Sequence, residues 1–469
     1  MGNVNEWAGN LTLGWMVDQR DLQIQILTRM RQFGMQAVLP GFAGHVPEAL
    51  KSHYPNANIT QLSSWNMTVY IHQSPNTFMS IQQDLYGTDH FYNFDPFNEL
   101  EPPSSDPAYL KNCSQSMFNN LIAVDPQGIW VLQGWLFVYD TEFWQPPQIE
   151  AFLSGVPIGK MIVLDLWADV DAGWKITNYF YGHNWIWCML HNFGGRSGMY
   201  GKIPFISTNP IEARSLSPNM VGTGLTPEAI EQNVIVYDLM SEMAWRSTPP
   251  DLKEWVDQYV TRRYGKYIEV LADTWYELVG TVFNCSIVTK GPVTILVSVR
   301  PQLNFTTSLY YDPIVISKAW SAFLSIDDLH VVNTSTFSFD LTEITTQALS
   351  NLFMTTELQM NAAFLNDSYE EFSLLSDALL SIIQDINTIV STQEMLLVGN
   401  WTARARALTP ANETTELYEM NARNQITLWG PPDSFDHDYA YKLWGGLTED
   451  FYLARWTLFS QSIFKTTNQ

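Results

Sequence analysis

The first half of the chain alternates helical patterns with short, unbroken apolar runs, and this alternation restricts the fold more than any other feature. The runs are Met35–Pro40 (MQAVLP), the aromatic stretch from Phe91 towards Glu99 (FYNFDPFNE), Ile129–Phe137 (IWVLQGWLF), Met161–Trp167 (MIVLDLW), Trp185–Asn192 (WIWCMLHN) and Asn219–Gly224 (NMVGTG). Helical spacing separates them. Leu22, Ile24, Ile26, Leu27 and Met30 share a stripe ending at Gly34, and further helices are expected over Tyr109–Val124 and Gln148–Leu153. Strands that are apolar throughout, rather than at every second residue, need both faces covered. Runs of that kind separated by helices indicate a parallel sheet. Six strands are expected, where eight close a barrel. The fold class read from the sequence is therefore α/β followed by all-α: a (β/α)8-type barrel lacking its first strands, or an open sheet, and then a helical domain.

The change falls near Pro249-Pro250, which gives domains 1–250 and 251–469. Beyond it Phe372, Leu375, Leu379, Ile382, Ile383, Ile386 and Ile389 recur mostly at three and four, as on one face of a long helix. Another helix is expected over Leu443–Phe464 with a break at Gly445-Gly446, and a connecting loop over Asn304–Ser317. No apolar stretch reads as a membrane span.

Charge removes one class of partner. A formal net charge of −24 repels phosphate backbones, so no nucleic-acid ligand is expected, and it suits an acidic compartment. The 18 Trp and 21 Tyr supply core material and also flat faces with a polar edge, which suit sugar rings. Cys113, Cys188 and Cys285 are too dispersed for a zinc site or a disulfide framework, and no cluster has metal-ligand spacing. Asn10, Asn58, Asn66, Asn112, Asn284, Asn304, Asn333, Asn366, Asn400 and Asn412 each begin an N-x-S/T sequon, a set that favours the secretory route. MGNVNEW has neither the basic start nor the apolar run of a signal peptide, so the natural N-terminus is expected to lie upstream of Met1.

Glycoside hydrolysis needs two carboxyl groups flanking the scissile bond. Glu99 follows the aromatic run and precedes two prolines, as at the catalytic end of a barrel strand, although a surface Glu would look the same. Glu228, in VGTGLTPEAI, follows the last run and opens a helical pattern, where an acid also complements the helix dipole. Asp165 and Glu242 compete for the second role but are worse placed, one inside its strand and one on a helix. Trp135, His45 and the group His191, Asn192 and Phe193 stand at other strand ends, the last before Gly194-Gly195.

These motifs carry a resemblance. FGMQAVLPGFAGHVPEAL, GTDHFYNFDPFNELEPPSSDPAYL, WVLQGWLF, LDLWAD, IWCMLHNFGG, MVGTGLTPEAIEQN and NQITLWGP resemble the lysosomal α-N-acetylglucosaminidase family from Met1 to about Trp456. The resemblance implies a (β/α) barrel and an all-α domain, and retaining exo-hydrolysis of terminal α-linked N-acetylglucosamine, as in heparan sulfate. It implies no cofactor and no metal. Glu99 matches the general acid/base and Glu228 the nucleophile. Asn98 matches the residue contacting the 2-substituent. Trp135, Leu166, Phe193 and Trp65 match pocket positions, while Trp429 and Tyr439 match contacts from the helical domain. Lysosomal or secreted placement, a glycosaminoglycan or other glycan as partner and capacity to form a homo-oligomer go with this reading. The alternative is an inactive fragment or a carbohydrate-binding protein on the same fold.

Overall fold

The computed structural model describes residues 9, 11–46, 52, 55, 60–64, 67–71, 76–230, 233–292, 296–303, 309–411, 413–430 and 437–467. Their contacts divide into two compact units. One comprises Thr12–Leu190 and Asn209–Thr226, and the other is built on His191–Thr208 and Pro227–Gln469.

The first unit contains the strands β1 (Val38–Pro40), β2 (His45–Val46), β3 (Thr60–Ser64), β4 (Met67–Ile71), β5 (Phe91–Asn93), β6 (Ile129–Gln133), β7 (Met161–Asp165), β8 (Asn184–Met189) and β9 (Met220–Leu225). The six apolar runs supply one six-stranded sheet in the order β1-β5-β6-β7-β8-β9, parallel throughout. Helices Asn76–Tyr86, Pro107–Val124, Pro146–Ser154 and Asn209–Leu216 make crossovers between successive strands. The entry to one of them is set locally. Asp106 Oδ1 accepts the Ala108 N–H at 3.0 Å, and Pro107 occupies the first helical position, where no N–H is needed. Large aromatics are admitted to the core because their polar edges are matched. The fully buried Trp130, Trp185 and Trp187 donate their indole N–H groups to the Phe94 carbonyl, Ser217 Oγ and Asn209 Oδ1.

Sequence periodicity overestimates strand lengths at the carboxyl ends. β5 stops at Asn93, so Glu99 lies in a turn rather than at the strand end. β6 stops at Gln133, and Trp135 opens the short helix Trp135–Tyr139. An antiparallel sheet β2-β4-β3, not expected from the sequence, lies between β1 and β5 along the chain.

In the second unit, helices Leu252–Tyr264, Glu269–Gly280, Ile314–Leu324, Ser335–Leu365, Tyr369–Val390, Val398–Ala407, Glu416–Gln425 and Ala454–Thr467 carry the fold. The first starts where Asp251 accepts the Glu254 N–H at 2.9 Å, directly after the two prolines. Tyr369–Val390 buries Phe372, Leu379, Ile382, Ile383 and Ile386 against Phe353 and Trp456. By length and composition this helix could cross a membrane, contrary to the sequence reading, yet its apolar stripe is part of this core. Helix Ile314–Leu324 begins inside the loop expected over Asn304–Ser317, whose residues 304–308 lie outside the described set. The C-terminal helix runs on from the far side of the expected Gly445-Gly446 break, and Leu443 precedes it. A Cβ on Gly445 would sit 2.3 Å from Ser391 Oγ, and Gly446 has φ +85°, so both glycines belong to a packed turn preceding the helix. All three cysteines are free thiols.

Candidate active site

In the first unit, the segment after β5 is held to β6 by side chains that extend the ladder. Asn93 Nδ2 donates to the Val131 carbonyl at 3.0 Å, and the Gln133 N–H donates to Asp95 Oδ1 at 3.1 Å. Phe94 and Phe97 are buried, Phe94 edge-on to Trp130 with centroids 5.4 Å apart. This anchors the turn carrying Asn98 and Glu99. Burial pushes the Asp95 carboxyl up to about 6. Glu99 is half-buried, and its Oε1 accepts the indole N–H of Trp135 at 2.8 Å. Trp135 is itself fixed from below: the Gly134 N–H donates to the Leu164 carbonyl at 2.7 Å, with a distance so short that a Cβ there would lie 2.9 Å from that oxygen. Asn98 Oδ1 is buried without a hydrogen-bond partner among the described residues. Leu166 is half-buried, and its carbonyl accepts the Thr226 hydroxyl at 2.9 Å.

Asp165 has a different role from the one its sequence position allowed. It is fully buried, and it accepts the N–H groups of Gly173 and Trp174 at 3.2 and 2.9 Å. Burial, reinforced by Asp171 and Asp169, raises its carboxyl to about 7. It caps a loop. Glu242, the other competitor, is engaged by Arg246 at 2.6 Å and the Trp255 indole at 2.9 Å in the second unit, a structural ion-pair cluster.

Glu228, in the second unit, is gripped at Oε2 from two sides. Its Oε2 accepts the backbone N–H of Gly194 at 2.6 Å and the hydroxyl of Tyr439 at 2.5 Å. The double glycine makes this possible. Gly194 and Gly195 have φ of +67° and +59°, and Cβ atoms on them would meet the Tyr439 carbonyl at 2.3 Å and the Glu228 carbonyl at 2.6 Å. The close approach the glycines permit is thus to protein backbone. Tyr439 packs against Trp429 with ring centroids 5.0 Å apart. Arg196 Nε donates to the Tyr439 carbonyl at 3.1 Å. Asp438 is locked by Arg455 at 2.7 Å, which sets where Tyr439 begins.

Phe193 is buried, and its N–H donates to the Lys290 carbonyl at 2.9 Å. His191 and Asn192 are buried too. His191 Nε2 meets Asn233 Nδ2 at 3.2 Å, and burial pulls the imidazole down to about 3, keeping it neutral. Asn192 brackets the glycine turn: its Oδ1 accepts the Arg196 N–H and its Nδ2 donates to the Arg196 carbonyl. Both therefore shape the loop from behind instead of facing solvent. Of His45 only the backbone, in β2, is described, and Trp65 lies outside the described residues.

Sequence reasoning missed Lys442, Arg196 and Asp438. A signal for the segment does exist in the backbone. His191, Ala229, Trp429 and Asp438 all adopt positive φ without being glycine, so strained residues flank Glu228 and its partners. Among the described residues no three His, Cys, Asp or Glu side chains gather as a metal would require.

Comparison with known proteins agrees with these motifs. The alpha-N-acetylglucosaminidase tim-barrel domain matches residues 1–247, and the alpha-N-acetylglucosaminidase C-terminal domain matches residues 255–469. The human alpha-N-acetylglucosaminidase is 36% identical over 488 aligned positions, covering 100% of this chain and 65% of the human protein. A family 89 glycoside hydrolase from Clostridium perfringens, solved with 2-acetamido-1,2-dideoxynojirmycin, is 27% identical with a TM-score of 0.89, over 98% of this chain and 54% of that one. The same figures hold for a form of the Clostridium perfringens enzyme in which two glutamates are glutamines, bound to its substrate GlcNAc-alpha-1,4-galactose. The chain thus spans about two-thirds of the human relative (65%) and about half of the bacterial one (54%). Two successive domain matches over nearly its whole length, and a relative aligned to all of it, establish that the chain belongs to the alpha-N-acetylglucosaminidase family.

Proposed function

We propose that the chain is a retaining exo-glycosidase that removes terminal, non-reducing α-linked N-acetylglucosamine from a glycan, heparan sulfate being the polymer its family resemblance suggests. The observation that carries this reading is the Glu228 carboxyl, aimed by the Gly194 N–H and the Tyr439 hydroxyl. Two glutamates are the pair replaced in the substrate-bound bacterial relative, which supports a two-carboxyl reaction here. Glu228 attacks the anomeric carbon while Glu99 passes its proton to the departing glycosidic oxygen. Water, deprotonated by Glu99, then displaces Glu228 and releases the sugar with retained configuration. The reaction draws on no cofactor. The Trp135 indole steers Glu99 through its 2.8 Å hydrogen bond.

Asn98, whose Oδ1 lacks a protein partner among the described residues, receives the 2-acetamido group. By the family resemblance Trp135, Leu166, Phe193, Trp65, Trp429 and Tyr439 match sugar-subsite positions, and His191 and Asn192 shape the glycine turn beside Phe193. In this reading residues 1–250 are the catalytic barrel and 251–469 the helical domain. The sequons and acidic charge suit a lysosomal or secreted glycoprotein.

The test is product stereochemistry by NMR on two variants. Glu228→Ala should abolish turnover of an aryl α-N-acetylglucosaminide. Glu99→Ala should still form the glycosyl-enzyme from an activated aryl glycoside, and azide, which needs no base, should rescue it with retention. Wild-type turnover in Glu228→Ala, or normal cleavage of the natural linkage by Glu99→Ala, sinks the assignment.

A further inference from the structure

Lys442 is buried to 2% exposure, an unusual position for a lysine, and its Nζ is directed at backbone. It donates to the carbonyls of Gly195 and, at 2.9 Å, Ile230. Those two carbonyls belong to the two strands of chain that matter to Glu228. Gly195 follows Gly194, whose N–H holds Glu228 Oε2 at 2.6 Å, and Ile230 lies two residues after Glu228 itself. The packing leaves no slack, since a Cβ on Gly195 would lie 2.6 Å from the Glu228 carbonyl and 3.0 Å from Nζ. The segment bearing Lys442 is fixed in turn: the Leu443 N–H donates to Ser197 Oγ at 2.9 Å, and Arg196 Nε holds the Tyr439 carbonyl at 3.1 Å. The same short segment supplies the Tyr439 hydroxyl to Glu228.

We propose that Lys442 is a positioning residue for Glu228, a clamp that sets the distance between the segment carrying the carboxyl and the glycine turn that aims it. The proposal rests on the reading of Glu228 as nucleophile. The Lys442 Nζ joins the two backbone segments by donating to a carbonyl of each. Removing it frees the Gly194 N–H to drift from Glu228 without touching the sugar-binding side chains. The consequence falls on the step in which the carboxyl reacts, because displacement by about an ångström costs on the order of 100-fold when geometry governs the rate.

The experiment measures steady-state kinetics of the full chain as Lys442→Met on an aryl α-N-acetylglucosaminide, per folded molecule, with melting recorded alongside. The expected result is kcat lower by about 10- to 100-fold with KM within about threefold of the parent. Adding n-propylammonium to Lys442→Ala should restore kcat saturably, because the amine refills the site. If Lys442→Met does not fold, Lys442→Ala with and without the amine decides by the same criterion: regained kcat supports the clamp, and regained melting temperature without regained kcat overturns it. A kcat within about twofold of the parent, or a loss confined to KM or to folded yield, also overturns it. Glu228→Ala run in parallel separates the two ideas. Turnover in that variant removes the reading of Glu228. Its absence, with undiminished kcat in Lys442→Met, removes only the role of Lys442.

Discussion

Replacing Tyr439 with phenylalanine takes away one oxygen and nothing else. The ring keeps its contact with Trp429, 5.0 Å between centroids, and the backbone keeps its hydrogen bond from Arg196. What goes is the donation to Glu228 Oε2 at 2.5 Å, while the Gly194 N–H still donates to that oxygen at 2.6 Å. A hydrogen bond to a charged group is worth about 1.5–3 kcal/mol. Glu228 is half-buried, so water can replace part of the loss and the lower end, about 1.5–2 kcal/mol, applies. At about 1.4 kcal/mol for each factor of ten, kcat/KM should fall by about 10- to 30-fold. The assay is initial rates on an aryl α-N-acetylglucosaminide, with thermal melting as the control for folding. Melting should be unchanged, since no apolar contact is lost. A kcat/KM within about twofold of the parent would show that the hydroxyl does not orient the proposed nucleophile, and a fall in activity matched by a fall in melting temperature would show a packing role instead.

Gly194→Ala should cost about 1–3 kcal/mol of stability and most of the activity, because its φ is +67° and the new Cβ would meet the Tyr439 carbonyl at 2.3 Å; Gly399→Ala, in a helix with open space around it, should instead gain about 0.5–1 kcal/mol, and denaturant titration separates the two. Asp340→Ala should destabilise by about 3–5 kcal/mol, because Asp340 is buried and bound through both oxygens by Arg263 at 2.5 Å and by the Tyr264 hydroxyl at 2.6 Å; a loss under about 1 kcal/mol in chemical denaturation would contradict the burial argument. Glu357 is buried, its Oε2 has no hydrogen-bond partner among the described residues, and burial raises its carboxyl to about 7. Such a group keeps its proton where the unfolded chain has lost it, so its stability is full below the unfolded value of 4.5 and declines as pH rises through about 7. Melting should therefore fall between pH 5 and pH 7.5, and Glu357→Gln should flatten that slope with a ceiling of about 3 kcal/mol at the upper end; an unchanged slope refutes the assignment.

The sequence by itself determined the parallel sheet and the helical second half. Continuous apolarity in runs such as IWVLQ and MIVLD demands cover on both faces, and the apolar stripe from Phe372 to Ile389 demands a long helix with one buried side. Both are near-neighbour statements, and periodicity reports them faithfully. It also marked Glu99, Glu228 and the Gly194-Gly195 turn as unusual. Strand ends escaped it, because an apolar residue such as Trp135 or Phe97 is equally at home in a strand, a turn or a short helix once the core covers it.

The grip on Glu228 was decided only by tertiary structure. Gly194, Tyr439 and Lys442 lie 34, 211 and 212 positions or more from the residues they hold, and no local pattern encodes such a pairing. Lys442 reads in sequence as an ordinary member of an aromatic stretch, and Tyr439 is marked there only by the family resemblance. They acquire their roles when the fold closes the glycine turn against the Tyr439 carbonyl and buries the Lys442 amine among backbone carbonyls. The physical reason is that burial forces polar atoms to find partners wherever the packed chain supplies them, so chemistry at a site is fixed by who is near in space, while periodicity records only who is near in sequence.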